Sequence, residues 1–254
     1  MNPTTTDNPT PADQPLDKSR GRIRDMFGQI APRYDFLNHF LSCGFDLWWR
    51  RRVTKMVPIA NDGSPILDVC AGTGDQALAW LAACRRAGLT DTPVVAADFC
   101  RPMLRAAVRK IAARFPDAQT KVVEADTMSL PFPDDRFQIV SVAFGLRNVA
   151  NTDEGLAEMT RVCRPGGHVA VLEFCDPRMP GLKQLYRWYF HKVLPKIGQW
   201  IARNRYDAYE YLPDSVARFP QRAALEERMQ GVGLKDTWHR TMIPGIVALH
   251  VGRK

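Results

Sequence analysis

The sequence predicts an α/β fold in which a mostly parallel sheet is covered by helices on both faces and ends in a C-terminal antiparallel hairpin. Short apolar runs alternate with segments of helical periodicity from residue 66 to residue 174, which is the pattern of strands joined by helical crossovers. Two more strand-like runs, 234–240 and 246–251, are joined by only five residues. Parallel neighbours need a crossover of about a dozen residues or more, so these two strands must be antiparallel if they pair.

The elements follow one another in a regular order. The first five predicted strands cover residues 66–70, 93–97, 121–125, 137–144 and 168–174. The helices predicted between them cover residues 75–87, 102–115 and 153–163. Leu78, Leu81 and Ala82 give the first of these helices one apolar face, and Gly88 is suited to end it.

Three segments lie outside this alternation. Residues 1–19 are rich in Pro, Thr, Asn and Asp and lack an apolar stretch, so we expect a disordered tail and no signal peptide. The remainder, 20–254, is predicted to be a single domain with an N-terminal helical segment at 20–57. Residues 181–215 form an insertion after the fifth strand, which we expect to act as a lid over a substrate pocket.

Composition narrows the class of protein. The chain has 254 residues, of which 45% are hydrophobic, so it can bury a large core. Its six cysteines match no disulfide or zinc spacing; we expect a reduced, cytoplasmic protein without a metal site. No apolar run is long enough to span a membrane. The net charge of +8 favours anionic partners, although ordinary solubility charge explains it equally well.

A Gly-rich loop is the first candidate for a ligand site. Gly72, Thr73 and Gly74 follow the first strand and precede the first crossover helix, where glycine allows tight turning and close approach of a ligand. The spacing through Ala77 also fits the dinucleotide fingerprint. A tight turn with no ligand is the alternative interpretation.

Acidic residues after the next two strands strengthen the ligand interpretation. Asp98 ends the second strand, where a carboxylate can accept hydrogen bonds from ribose hydroxyls. Asp126 follows the third strand on the same sheet edge, which predicts a ribose-and-base site. Asp75 at the helix start would repel a diphosphate but tolerate a cationic sulfonium. These points favour S-adenosylmethionine over NAD.

From here the sequence closely resembles the ubiquinone/menaquinone biosynthesis C-methyltransferases, over residues 24–252. The resemblance is carried by segments 26–35, 67–75, 130–134, 144–149, 164–167, 172–174 and 244–250. The most family-specific of these are Phe-Gly-Leu-Arg-Asn at 144–148 and Gly-Ile-Val-Ala-Leu-His at 245–250. The resemblance implies the class I methyltransferase fold, which is Rossmann-like with a seven-stranded mixed sheet and a reversed final hairpin. It also implies S-adenosylmethionine as cofactor and methylation of a ring carbon on a polyprenylated hydroquinone of the demethylmenaquinol type.

The resemblance also assigns cofactor positions. Thr73, Asp98, Asp126 and Thr127 fall at the family's cofactor-binding positions, in addition to the loop glycines. Thr127 replaces a commoner alanine beside the adenine. Ala143 stands where many relatives have a serine, so any hydroxyl contact at that position is lost.

The expected chemistry suggests catalytic residues. A neutral hydroquinone carbon is a poor nucleophile, so the site must assist loss of a hydroxyl proton or stabilise the phenolate. Arg147 is the first candidate to hold that oxygen, with a salt bridge that braces its loop as the alternative. Asn148 is expected to orient a hydroxyl or a water, and Tyr34 to close over the cofactor. A structural ion pair for Glu173 and a core position for His250 are weighed against roles in the site.

Two aromatic and basic clusters bear on partners. The first is Trp48 to Arg52 and the second spans Lys183 to Lys196; such clusters suit contact with anionic lipid, while a lid packed on the core explains them equally well. We therefore expect the polyprenylated hydroquinone, the inner face of the cytoplasmic membrane and a second copy of the chain as partners, and no nucleic acid. An NAD(P)-dependent quinone reductase and a non-catalytic methyltransferase-like scaffold remain the alternative functions.

Overall fold

The computed structural model describes residues 16–188 and 208–254. Its helices are α1 (Arg20–Ile30), α2 (Tyr34–Leu41), α3 (Phe45–Met56), α4 (Asp75–Arg86), α5 (Arg101–Arg114), α6 (Thr152–Val162), α7 (Pro180–Trp188), α8 (Ala208–Arg218) and α9 (Ala223–Gly231). Its strands are β1 (Ile66–Val69), β2 (Val94–Asp98), β3 (Thr120–Glu124), β4 (Phe137–Ala143), β5 (Cys163–Phe174), β6 (Lys235–Met242) and β7 (Val247–Arg253). A short 3₁₀ turn at Leu146–Asn148 follows β4.

The seven strands form one mixed sheet in the order β3-β2-β1-β4-β5-β7-β6. β7 pairs antiparallel with both β5 and β6, whereas the other neighbours are parallel. The predicted α/β fold with a C-terminal antiparallel hairpin is therefore confirmed. The short 243–246 connection makes β6 and β7 neighbours, and it is β7 that lies against β5.

Burial on both faces explains the apolar strands. All residues of β1, β2 and β4 are buried, as expected of parallel strands covered on both sides. Val53, Trp80 and Ile111, from α3, α4 and α5, belong to the core on one face of the sheet. Leu156 and Met229, from α6 and α9, belong to the core on the other face. The sheet is thus the middle of three layers.

The helix before β5 has the predicted length but begins and ends one residue earlier than predicted. α6 ends at Val162 because Cys163 already has extended backbone angles and pairs with Phe137 of β4. Asn151 begins α6 by accepting hydrogen bonds from the backbone N–H groups of Asp153 and Glu154, which satisfies two of the free donors at a helix start.

Helices α1 and α2 contribute residues near the end of the sheet where β1 and β4 finish, whereas α3 packs on one face of the sheet. Trp49 of α3 is buried, and its indole N–H donates a 2.7 Å hydrogen bond to the carbonyl of Ile243 in the β6–β7 loop. Residues 189–207, in the predicted insertion 181–215, lie outside the described residues; its described ends form α7 and α8. Among the described helices, none is both long and apolar enough to cross a membrane.

Candidate cofactor and substrate cleft

The Gly-rich loop turns sharply between β1 and α4. Cys70, Gly72 and Gly74 all have positive φ, at 49°, 55° and 86°. A Cβ atom on Gly72 would meet nothing within 4 Å, whereas one on Gly74 would lie 3.1 Å from Cβ of Ala107 in α5. Gly72 therefore leaves room for a ligand, and Gly74 lets α5 pack closely behind the loop.

A cleft of about 800 Å³ opens beside this loop. It lies at the carboxyl ends of the parallel strands, where the strand order reverses between β1 and β4 and where α/β sheets commonly bind ligands. The sequence-predicted site residues that line it are Tyr34, Gly72, Thr73, Asp98, Asp126, Ala143 and Asn148. Gly74, Thr127 and Arg147 lie next to the cleft but are not part of its lining.

Asp98 is a buried acceptor in the wall of the cleft. One carboxylate oxygen accepts a 2.8 Å hydrogen bond from the N–H of Gly72, and the other accepts a 2.7 Å bond from the N–H of Cys100. Burial raises the pKa of Asp98 to about 6, although these N–H donors oppose the shift. Each carboxylate oxygen has a further lone pair, so Asp98 can still accept bonds from a ligand's hydroxyls.

A partly buried ion-pair network holds α2 against the Gly-rich loop. Thr73 donates its hydroxyl to Asp35 of α2, and the Lys110 ammonium lies 2.7 Å from Asp35 and 2.6 Å from Asp75. Burial by itself would raise the pKa of Asp75, but the charges of Arg50 and Lys110 hold it below the usual value. Because Lys110 neutralises Asp75, this carboxylate opposes a diphosphate less than its sequence position suggests.

The same network accounts for a potential metal-ligand set. Asp35, His39 and Asp75 could bring one ligand atom each within 4.8 Å of the others. The Lys110 ammonium already contacts both carboxylates, and the His39 ring is bonded to Asp46 at 2.8 Å. A lysine cation therefore takes the place that a metal ion would need.

Of the two residues predicted to bind the cofactor after β3, one faces the cleft and the other does not. Asp126 lines the cleft, accepts a 2.8 Å hydrogen bond from the N–H of Met128, and forms an ion pair with Arg20 of α1. Thr127 is buried behind it, with its hydroxyl 3.1 Å from Sγ of Cys70. Arg20 therefore joins the N-terminal segment to this end of the cleft, a contact that the sequence interpretation missed.

Arg147 is engaged in a buried ion pair. Its guanidinium lies 3.0 Å from the Glu173 carboxylate and also donates to the carbonyl of Phe144. The ion pair is the alternative weighed for Arg147 and for Glu173 in the sequence. Nε of Arg147 is buried and has no hydrogen-bond partner among the described residues.

Two other predicted catalytic residues face the cleft. Oδ1 of Asn148 is buried and forms no hydrogen bond within the described part of the chain. Burial raises the pKa of Tyr34, so its phenol stays protonated near neutral pH.

His250 is buried and stacks on His239 at a centroid distance of 5.5 Å, and burial lowers its pKa to about 4. It is a neutral core residue, away from the cleft lining.

The aromatic and basic clusters divide between surface and interior. Trp48 is 39% exposed, but Trp49 and Arg50 are buried, so the first cluster is only partly a surface feature. In the second, Tyr186 is buried and Trp188 is exposed; the residues from 189 to 196 lie outside the described residues.

Solved structures with similar folds identify the class. A possible histamine N-methyltransferase from Thermotoga maritima, titled an S-adenosylmethionine-dependent methyltransferase, aligns with a TM-score of 0.62 at 15% identity over 90% of this chain and 98% of its own. Phosphoethanolamine N-methyltransferase 2 from Haemonchus contortus, solved with S-adenosyl-L-methionine, aligns with a TM-score of 0.58 at 15% identity, over 81% of this chain and 52% of its own. The fold is that of the class I methyltransferases.

Sequence comparisons are more specific. Residues 16–254 match the model of the ubiE/COQ5 methyltransferase family. The chain is 42% identical to ubiquinone/menaquinone biosynthesis C-methyltransferase UbiE of Geobacter sulfurreducens, over 92% of this chain and 88% of that protein. It is 44% identical to demethylmenaquinone methyltransferase of Thermus thermophilus, over 89% and 99%. The chain belongs to the ubiE/COQ5 methyltransferase family, and its cofactor is S-adenosylmethionine.

Proposed function

We propose that this protein transfers a methyl group from S-adenosylmethionine to a ring carbon of a polyprenylated hydroquinone. The observation that carries the proposal is the match, at 41–44% identity and nearly full length, to proteins named for ubiquinone or menaquinone methylation. Nothing in these similarities favours the reductase alternative, and the open cleft beside Gly72 and Asp98 argues against a scaffold that binds no cofactor.

The cleft residues fit the cofactor's chemistry. Asp98 accepts hydrogen bonds from the ribose hydroxyls with oxygens that Gly72 and Cys100 already orient. The bare backbone of Gly72 allows the ligand to approach the loop. Asp126 lies on the base side, at the end of the third strand. When bound, the cofactor supplies an electrophilic methyl group, which needs a nucleophilic ring carbon opposite it.

The protein's task on the substrate side is to make that carbon electron-rich. A free phenol has a pKa of about 10, so the phenolate must be stabilised near neutral pH. Arg147 stabilises the developing oxygen charge from beside the cleft, where Glu173 and the carbonyl of Phe144 hold its guanidinium in place. Asn148 and Tyr34 orient the hydroxyl from the cleft wall, where the unpartnered Asn148 oxygen can accept its proton in a hydrogen bond.

Methyl transfer is tested directly with labelled cofactor. The purified protein, S-adenosylmethionine with a trideuterated methyl group and a short-chain demethylmenaquinol are incubated, and the quinone is analysed by mass spectrometry. We expect a product that carries a trideuterated methyl group on a ring carbon. A protein that binds the cofactor but labels no demethylated quinol would support the scaffold, and oxidation of NADPH by quinone would support the reductase.

The role of Arg147 needs a variant that keeps the fold. Arg147→Ala leaves Glu173 buried without a counterion, which costs about 3–5 kcal/mol of stability. The double variant Arg147→Met with Glu173→Gln removes both charges. We expect it to lose methyl transfer while its affinity for S-adenosylhomocysteine stays within about twofold of the parent. Retained turnover would remove Arg147 from the catalytic role.

Exposed apolar side chains of α2 and of the β6–β7 loop form the surface on which we propose that a membrane binds. Phe36 and Phe40 of α2 stack at 5.8 Å and are 61% and 56% exposed, and Ile243 is 69% exposed. Exposed Arg51 adds positive charge on α3, which suits an anionic lipid surface. Flotation with phosphatidylglycerol vesicles should carry the protein, and Phe36→Ser with Phe40→Ser should reduce the bound fraction; equal flotation would refute this surface.

The remaining partner expectations have simple measurements. Light scattering on a size-exclusion column reports whether the chain forms the expected homodimer. An electrophoretic mobility shift assay with an RNA and a DNA duplex tests the expectation that the protein, despite its net charge of +8, binds no nucleic acid.

A further inference from the structure

Arg50 is a buried cation without a counterion in contact with it. Its side chain is only 7% exposed, and among residues 16–188 and 208–254 it forms no hydrogen bond or ion pair. Its guanidinium lies over the ring of Phe144, 5.2 Å from the centroid. A buried charge is costly unless it is paired, so the free donors of Arg50 need a partner that the chain itself does not provide.

Arg50 lines the cleft. It shares the wall with Tyr34, Thr73, Asp75 and Phe144. Burial raises the pKa of Asp68 to about 7 and the charge of Arg50 opposes this shift, as it does at Tyr34. Arg50 therefore lies close to Asp68 and Asp75, the acids on either side of the Gly-rich loop.

The acids near Arg50 already have other partners. Asp75 is paired with Lys110 at 2.6 Å, and Asp68 accepts a 3.0 Å hydrogen bond from the hydroxyl of Ser141. The charges of Asp68 and Asp75 act on the guanidinium, but neither carboxylate forms an ion pair or hydrogen bond with it, so its N–H donors stay available to a ligand.

Other cations in the cleft are less suited to the same end. Arg20 is paired with Asp126. Lys18 is only half-buried, so its ammonium can be solvated without a partner. Arg50 is thus the buried cleft-lining cation that stands beside the Gly-rich loop.

We infer that Arg50 binds the carboxylate of the methionyl part of S-adenosylmethionine, and this inference rests on the proposed cofactor site. A ribose held at Asp98 directs the amino-acid part of the ligand along the Gly-rich loop towards Arg50. A guanidinium presents donors in a planar fork that matches a carboxylate. The bound carboxylate would supply the missing counterion, so that cofactor binding also relieves the cost of the buried charge.

The test compares two ligands that differ in the carboxylate. Calorimetry without quinol measures the affinity of the full chain for S-adenosylmethionine and for decarboxylated S-adenosylmethionine, which keeps the sulfonium and the ammonium. We expect Arg50→Gln to weaken binding of the first ligand by about tenfold or more, as for loss of a hydrogen bond to a charged group. Binding of the decarboxylated ligand should change by less than about twofold.

Controls keep the outcome decisive. Arg51→Gln changes an exposed neighbour on the same helix and should leave both affinities unchanged. Arg50→Lys keeps the charge, and should retain part of the preference for the carboxylated ligand even if Arg50→Gln does not fold. An equal loss for both ligands, or no loss for either, would overturn the assignment. A parent protein that binds neither ligand would instead refute the cofactor site itself.

Discussion

We expect the proposed contact of Asp98 with the ribose to make cofactor affinity depend on pH. Its pKa of about 6 results from burial, and the proposed ribose contact needs the ionised carboxylate because the hydroxyls donate to it. Below pH 6 the carboxyl is protonated and one acceptor becomes a donor. At pH 5, about one pH unit below this pKa, only about a tenth of the protein would be ionised. The dissociation constant for S-adenosylhomocysteine should therefore rise about tenfold between pH 7.5 and pH 5.

The assay is calorimetry with S-adenosylhomocysteine at several pH values, on the parent and on Asp98→Asn. The variant should bind about tenfold to a hundredfold more weakly at pH 7.5, because hydrogen bonds to a charged group contribute about 1.5–3 kcal/mol. The dissociation constant of the variant should also not rise below pH 6, since the amide does not titrate. A parent affinity that stays constant from pH 7.5 to 5, or a variant that retains the same pH dependence, would refute the ribose assignment of Asp98.

Three further predictions concern the frame around the cleft. Gly145→Ala would put a Cβ atom 2.3 Å from Cβ of Cys70, so we expect the free energy of unfolding, measured by urea denaturation, to fall by at least about 2 kcal/mol. The control Gly21→Ala has open space around the new Cβ atom and should not lower the free energy of unfolding. Lys110→Met leaves Asp75 buried without its nearest cation and should cost about 3 kcal/mol; equal stability of Lys110→Met and Lys110→Arg would contradict this. The pKa of Asp68, raised to about 7 by burial, means that the folded state binds its proton more tightly than the unfolded state. The free energy of unfolding of the parent should therefore fall relative to that of Asp68→Asn as the pH rises from 4 to 7, by up to roughly 4 kcal/mol; a constant difference would refute it.

The fold was predictable because its strands are apolar over their whole length and its last connection is short. Continuous burial of β1, β2 and β4 requires cover on both faces, and only an antiparallel pair can be joined across residues 243–246. The position of β7 between β5 and β6 could not be predicted in this way. That choice depends on how β5 and β7 pack together, and neither strand's own sequence pattern specifies its neighbour.

The cleft residues that lie at the ends of the strands could be predicted from the sequence. Gly72, Asp98 and Asp126 follow β1, β2 and β3, and the carboxyl ends of parallel strands meet at one edge. No comparable rule predicts which helix residues meet at the cleft. The contact between Lys110 and Asp75 joins residues 35 positions apart and exists only because α5 lies beside α4. No spacing in the sequence indicates that Asp75 is neutralised.

Arg50 could have been recognised from helical periodicity. The buried residues of α3 are Asp46, Trp49, Arg50, Val53 and Thr54, and their spacing of three and four is that of one helix face. The run of arginines at 50–52 draws attention to positive charge and hides the fact that only the first of them is on this face. An arginine on a buried stripe is uncommon unless it is paired. The same stripe therefore places Arg50 inside the protein, where an unpaired cation calls for an anionic ligand, and separates it from Arg51, whose exposed charge is free to meet a membrane surface.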